Sequence, residues 1–195
     1  MLIQLIQSFE NFEPYRIINK IHKMSNIIII YWPKGGNAEY AAKSIYAKFD
    51  KNTTVLKPVS EVTTEELKNA NLIIAGSSTV GAEKWQDATS GNKWSQFFNN
   101  LHEGSLTGKK VALFGLGDQV LYPDNFVDGL GIMKSEFVKS GAELIGKWSA
   151  EGYKFTDSQG IEDNSFIGLA LDEDRQPELT EDRIQKWTDL LKQAI

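Results

Sequence analysis

The chain predicts an α/β fold built on a parallel β-sheet with helices on both faces. Three observations lead there. Short, unbroken apolar runs recur along the chain, as strands buried on both faces require. Amphipathic segments with apolar residues at i, i+4 and i+8 lie between them. Several of the runs open directly into loops rich in glycine, serine and asparagine.

The first run, 26–32, holds four successive isoleucines followed by Tyr31 and Trp32. A turn through Pro33, Lys34, Gly35, Gly36 and Asn37 leads into a helix predicted over 38–50, with Ala41, Ile45 and Phe49 on one face. A second strand is expected at 53–59, and Thr64 is placed as the cap of a short helix beginning at Glu65. The third strand, 71–76, runs into Ser77, Ser78, Thr79, Val80 and Gly81. After a polar stretch to Asn92, a helix is expected at 93–103, a fourth strand at 109–115, and a helix over 125–141 that stops at Gly141. Two apolar runs, 143–148 and 166–171, read as strands separated by the polar segment 149–165. Thr180 is placed as the cap of a last helix, 181–192, whose Ile184, Trp187, Leu190 and Leu191 share a face. No internal repeat or low-complexity tract interrupts this order.

Composition narrows the chemistry. The chain has 195 residues, 41% of them hydrophobic and 24% charged, which suits one globular domain. A net charge of −5 argues against nucleic acid or an anionic membrane surface as the principal partner. The complete absence of cysteine excludes disulfides, thiolate metal sites, iron–sulfur clusters and cysteine nucleophiles. His22 and His102, far apart in sequence, give little basis for a histidine metal site or a Ser-His-Asp triad. Redox chemistry here would therefore need an organic cofactor. No apolar run approaches the roughly 18–20 residues that span a bilayer. Residues 1–23 lack the charge order and cleavage site of a secretory signal and read as a dispensable extension ahead of a domain at 24–195.

In parallel sheets ligands bind outside the carboxyl ends of the strands, so the informative loops are 33–38, 77–85 and 116–125. The first leads into a helix N-terminus, where free amides and glycines suit a phosphate and Lys34 adds charge, although a plain tight turn fits the same residues. It matches neither the dinucleotide fingerprint nor a Walker loop. The third loop leaves its strand through Gly115 and Gly117 and presents Asp118 and Tyr122. A flat aromatic ring such as Tyr122 can stack on a flavin, while the Gly117 and Asp118 amides suit a polar ring edge.

The strings 114–131 (FGLGDQVLYPDNFVDGLG), 148–158 (WSAEGYKFTDS) and 166–187 (FIGLALDEDRQPELTEDRIQKW) resemble the flavodoxin family, and the resemblance extends over about 26–195. It implies a flavodoxin-like three-layer sandwich: a five-stranded parallel sheet, helices on both faces, and the insertion in the last strand that marks long-chain flavodoxins. It further implies noncovalent binding of FMN and single-electron shuttling without a catalytic residue. By position, Tyr122 would stack on the ring, Gly117 and Asp118 would line its edge, and Asn125 and Asp174 would belong to the outer shell. Ser78, Thr79, Val80 and Gly81 would form the second flavin loop, and Pro33, Lys34, Gly35, Gly36, Asn37 and Ala38 the phosphate loop.

Two features depart from the family pattern. Its phosphate loop carries hydroxyl residues where this chain has Pro33, Gly35 and Ala38, and Pro33 also lacks an amide. Each such bond to a charged group is worth roughly 1.5–3 kcal/mol. Lys34, Asn37 and the glycine amides are the available compensation. Val80 stands where many members place a ring-stacking tryptophan, with Trp85 a few residues on. Two functions therefore fit: an FMN electron carrier with a modified phosphate loop, or a binding protein of the same fold that has lost FMN. An NAD(P)H-consuming flavin reductase is a weaker third, since no nicotinamide site is apparent. The carrier reading implies transient redox partners (a reductase donor and low-potential acceptor enzymes), a monomer, and a cytoplasmic location. Acidic Asp118, Asp124 and Asp128 are expected to lower the flavin's reduction potential by disfavouring added negative charge.

Overall fold

A computed structural model describes residues 27–78 and 93–195. The extension at 1–23, together with Thr79, Val80, Gly81 and Trp85, lies outside the described residues.

Strands β1 (Ile27–Trp32), β2 (Thr54–Pro58), β3 (Leu72–Ser78) and β4 (Lys110–Leu116) pair in parallel in the order β2-β1-β3-β4. The fourth strand carries two short partners on its free edge. Strand β5 (Glu143–Ile145) pairs with Lys110–Ala112, and β9 (Leu169–Leu171) pairs with Phe114–Leu116. Five sheet positions are thus filled by six strands, the last position being split as the resemblance implies.

Alternation explains why the central residues of β1, β3 and β4 are apolar on both faces. Ile28 and Ile30 of β1, Ile73 and Ala75 of β3, and Val111 and Leu113 of β4 enter one core. Ile27, Ile29 and Tyr31, with Leu72, Ile74, Ala112, Phe114 and Leu116, enter the other. A strand with a core on each face has no position left for a polar residue.

Helices α1 (Asn37–Ala47) and α5 (Thr180–Ala194) cover the second core with Ala38, Ala41, Ala42, Ile45, Ile184, Trp187 and Leu191. The first core is covered by α2 (Thr64–Asn69), α3 (Lys93–Asn99) and α4 (Gly129–Lys139) through Leu67, Trp94, Phe98, Leu130, Met133 and Phe137.

Several boundaries differ from expectation for identifiable reasons. The cap of α2 is Thr63 rather than Thr64, because a capping box needs its glutamate at the third helical position: Glu66 N–H donates to Thr63 Oγ1 (3.2 Å) and Glu66 Oε2 accepts from Thr63 N (2.9 Å). Thr180 does not cap α5. Its hydroxyl donates to Glu173, and a 3-10 turn, Pro177–Leu179, leads into the helix. Helix α4 starts at Gly129 instead of Asn125 because Val127 adopts φ +51°, which a helix cannot accommodate. Helix α3 ends at Asn99, short of the expected 103.

The run 143–148 breaks at Gly146, where φ is +83°. Beyond it, β6 (Trp148–Ser149), β7 (Ile161–Glu162) and β8 (Ser165–Phe166) form a separate antiparallel sheet in the order β6-β8-β7. The chain rejoins the main sheet through Gly168, where a Cβ would lie 2.2 Å from the Leu113 carbonyl oxygen. A backbone obstacle cannot rotate away, so only glycine fits this crossing. Gly168→Ala is expected to lower unfolding stability by about 3 kcal/mol, the upper part of the range for overpacking, read as a lower urea midpoint.

Candidate functional site

The carboxyl ends of β1, β3 and β4 bring together the loop at 33–38, Ser77 and Ser78, and the loop at 117–128. The turn after β9, 172–175, lies against the last of these.

Asp118 organises the 117–128 loop from within. Its Oδ1 accepts from the Val120 amide (2.9 Å) and the Leu121 amide (2.8 Å), the pattern of a short acidic side chain folding its own turn. The same carboxylate takes a two-pronged bond from Arg175, Nε to Oδ1 at 2.9 Å and Nη2 to Oδ2 at 2.8 Å. Arg175 foremost, then the two amides, outweigh burial and lower the Asp118 pKa from its ordinary 3.8 to about 2.

A second connection runs the other way. Asp172, fully buried, accepts the Gln119 amide (3.1 Å) and the Gln119 side-chain amide (2.8 Å) on Oδ2. Its Oδ1 receives the amides of Asp174 (3.2 Å) and Arg175 (3.0 Å). The two segments are therefore tied twice, by Asp118 to Arg175 and by Gln119 to Asp172.

The inserted sheet supports the loop from behind. The amides of Thr156 (2.7 Å) and Asp157 (3.0 Å) donate to the Pro123 carbonyl, Lys154 N donates to Gln119 Oε1, and the Ser158 hydroxyl donates to the Phe126 carbonyl. The Phe126 ring is fully buried, with its centroid 5.7 Å from Tyr153, 5.6 Å from Phe155 and 5.8 Å from Phe166. At the loop's exit Asn125 Nδ2 donates to Asp128 Oδ2 (3.0 Å), while Asp128 Oδ1 accepts from Gln159 N (2.8 Å).

What this framework holds outward is Val120, Leu121 and Tyr122, 60%, 62% and 55% exposed. Three large side chains stand together in water on a loop whose backbone is fixed. Tyr122 is thus displayed as expected. The Gly117 amide donates to the Leu171 carbonyl (3.1 Å) and is committed to the fold. The three acidic groups of this loop have different surroundings. Asp118 is neutralised by Arg175 and Asp128 is buried in hydrogen bonds, which leaves Asp124 as the exposed charge.

The 33–38 loop is open but already partnered. Around a Cβ placed at Gly35 or Gly36 nothing lies within 4 Å, so a ligand can approach the backbone closely. Yet the Gly35 amide, at φ +79°, donates to Glu39 Oε2 (2.7 Å), and Lys34 Nζ binds Glu61 Oε1 at 2.5 Å. At the end of β3 the Ser78 hydroxyl is buried without a hydrogen-bond partner among the described residues. Asn125 and Asp174 lie at the exposed rim.

Sequence reasoning missed Gln119, Asp172 and Arg175, the residues that fix the loop. The available signal was the position of Asp172 just after a strand, followed by two residues whose amides it could gather. Glu39 was missed because a glutamate in a first helical turn is ordinary.

Comparison with known proteins gives consistent findings. The family model for flavodoxin matches residues 29–187. A flavodoxin from Enterobacter agglomerans is 38% identical over 176 residues, covering 88% of this chain and 99% of the relative. One from Picosynechococcus sp. is 37% identical over 173 residues, covering 88% and 99%. Among solved structures, Fusobacterium nucleatum flavodoxin bound to flavin mononucleotide superposes with a TM-score of 0.75 at 29% identity, covering 87% of this chain and 98% of that one.

The depressed pKa of Asp118 makes the loop's anchorage pH-dependent. Its contribution is present in full above the ordinary value of 3.8 and is lost as pH falls through about 2. The difference in urea midpoint between the wild type and Asp118→Asn is therefore expected to shrink steadily from pH 4 toward pH 2. A difference independent of pH over that range would show that the carboxylate charge does not hold the loop.

Proposed function

Because the chain belongs to the flavodoxin family, we propose that it is an electron carrier, not an enzyme, that binds FMN noncovalently and passes single electrons between redox enzymes. The observation that carries this reading is the fixed display of Tyr122. An exposed aromatic ring held by two inter-segment ties and an inserted sheet is pre-organised, and pre-organisation lowers the entropic cost of binding. The residues at this end fit a flavin. Tyr122 offers a flat face, and Ser78 has a buried hydroxyl that a polar ring edge would satisfy.

Bound FMN would supply one-electron exchange at the exposed edge of its ring. Tyr122 would stack on the ring, the Asp118 amide would face its polar edge, and Ser78, with the Thr79, Val80 and Gly81 that follow it in the sequence, would serve as the second ring loop. Pro33 to Ala38 would meet the ribityl phosphate, with Asn125 and Asp174 at the rim. The overall charge of −5 suits transient encounters with basic patches on a donor reductase and on low-potential acceptors. Among the described residues no helix is long and apolar enough to cross a membrane. A cytoplasmic monomer is the form in which we place this activity.

One observation favours the second reading, a binding protein of the same fold without FMN: two of the donors expected to compensate for the missing hydroxyls, the Gly35 amide and Lys34, are engaged by Glu39 and Glu61. Titration of the purified apoprotein with FMN, followed by quenching of flavin fluorescence, separates the two. Stoichiometric, submicromolar binding supports the carrier, and no binding at high micromolar FMN selects the alternative. Tyr122→Ala is expected to weaken FMN binding by about tenfold, the worth of one aromatic stack. Asp124→Asn should raise the flavin's reduction potential, and an unchanged potential would remove Asp124 from the account.

A further inference from the structure

The end of the site that would receive the flavin tail has an unusual charge balance. A phosphate carries nearly two negative charges and needs free amides or cations around it. In this chain the Gly35 amide already meets a carboxylate, Glu39 Oε2, at 2.7 Å. That carboxylate is held in place from two further sides, by Lys43 Nζ at 2.6 Å on Oε1 and by the Tyr31 hydroxyl. Lys34, the remaining cation of the loop, is bound to Glu61. Lys34 and Lys43 are thus balanced one for one by Glu61 and Glu39, and no hydroxyl side chain stands at positions 33, 35 or 38.

Like charges at short range repel, and a donor already satisfied by an ionised acceptor yields little on exchange for another. Lys43, with the Gly35 amide, holds the Glu39 carboxyl below its ordinary range, so it stays charged at neutral pH. The backbone around Gly35 and Gly36 is nevertheless open to approach, and a flavin tail is not excluded by bulk. The obstacle is specific to a charged tail.

We propose that Glu39 makes this flavin site indifferent to the phosphate, so that riboflavin binds in the same place with an affinity close to that of FMN. This rests on the flavin-binding reading above and specifies its ligand class: flavins recognised by the ring, with the tail unselected. Glu39 acts as the specificity-determining residue by setting its own carboxylate against the Gly35 amide, and Glu61 assists by pairing with Lys34.

The test is fluorescence-quenching titration of the full chain with FMN and with riboflavin, for wild type, Glu39→Gln and Glu61→Gln. Wild type is expected to bind the two ligands within about tenfold of each other, less than the worth of a single strong bond to a charged group. Glu39→Gln removes the competing charge and releases Lys43. It should tighten FMN about tenfold or more while leaving riboflavin unchanged, as expected when one charge-assisted bond is regained. Glu61→Gln, which leaves the Glu39 contacts alone, should move the same ratio in the same direction by freeing Lys34. A wild-type preference for FMN of about a thousandfold, equivalent to two or more such bonds, would overturn the proposal. So would variants that shift both ligands equally or neither. If wild type quenches neither flavin, the carrier reading fails along with this one. If it quenches FMN alone, the carrier reading stands and only this inference falls.

Discussion

One edge of β4 shared by two short strands is the constraint from which the rest of this architecture follows. Strand β5 takes the first half of that edge and β9 the second. Neither is long enough to fill the position alone, so the chain between them must leave the sheet and return. It leaves at Gly146 and returns at Gly168, two points where side chains have no room. The excursion is consequently pinned at both ends beside β4, directly behind the loop that β4 feeds. The bonds from Thr156 and Asp157 to Pro123, and the burial of Phe126 among Tyr153, Phe155 and Phe166, follow from that placement.

The two ends of the site are built on opposite electrostatic principles. At the Tyr122 end, charges are used to fix backbone. Asp118 and Asp172 gather amides and an arginine into a rigid frame, and the ring face itself is left apolar and open. At the Gly35–Gly36 end, the charges cancel one another across a loop with no bulk in its way. The first end offers shape and an aromatic face, which act without regard to ionic state, and the second offers little net field.

The layered fold was legible because its signal is collective. The buried strand Ile27–Trp32 and the first half of Leu72–Ser78 are unbroken apolar runs, and their recurrence between amphipathic segments is the pattern of strands with a core on both faces. The Tyr122 display was legible while the partners of Asp118 were not: a glycine-rich loop with an acid and an aromatic names its residue types but not what they bind. Arg175 lies 57 residues beyond Asp118, and nothing local to either announces the pair. Element ends were the least legible. Val127 and Gly146 break their segments through backbone angles that no periodicity records. The cap at Thr63 turned on a one-residue choice between adjacent threonines that only the reciprocal bond with Glu66 decides.

The separation between the Tyr122 loop and its anchors bears on how the molecule comes into being. Gln119 reaches 53 residues forward to Asp172, and Asp118 reaches 57 forward to Arg175. Chains emerge from the ribosome amino end first, and a contact cannot form before its later member is made. Strands β1 to β4 can associate while synthesis continues, but the 117–128 loop lacks its ties to Asp172 and Arg175 until the turn at 172–175 has cleared the exit tunnel. Competence to hold a ligand is thus one of the last properties the nascent polypeptide acquires. A chain truncated anywhere before Asp172 lacks the anchors that bring the Tyr122 loop into order.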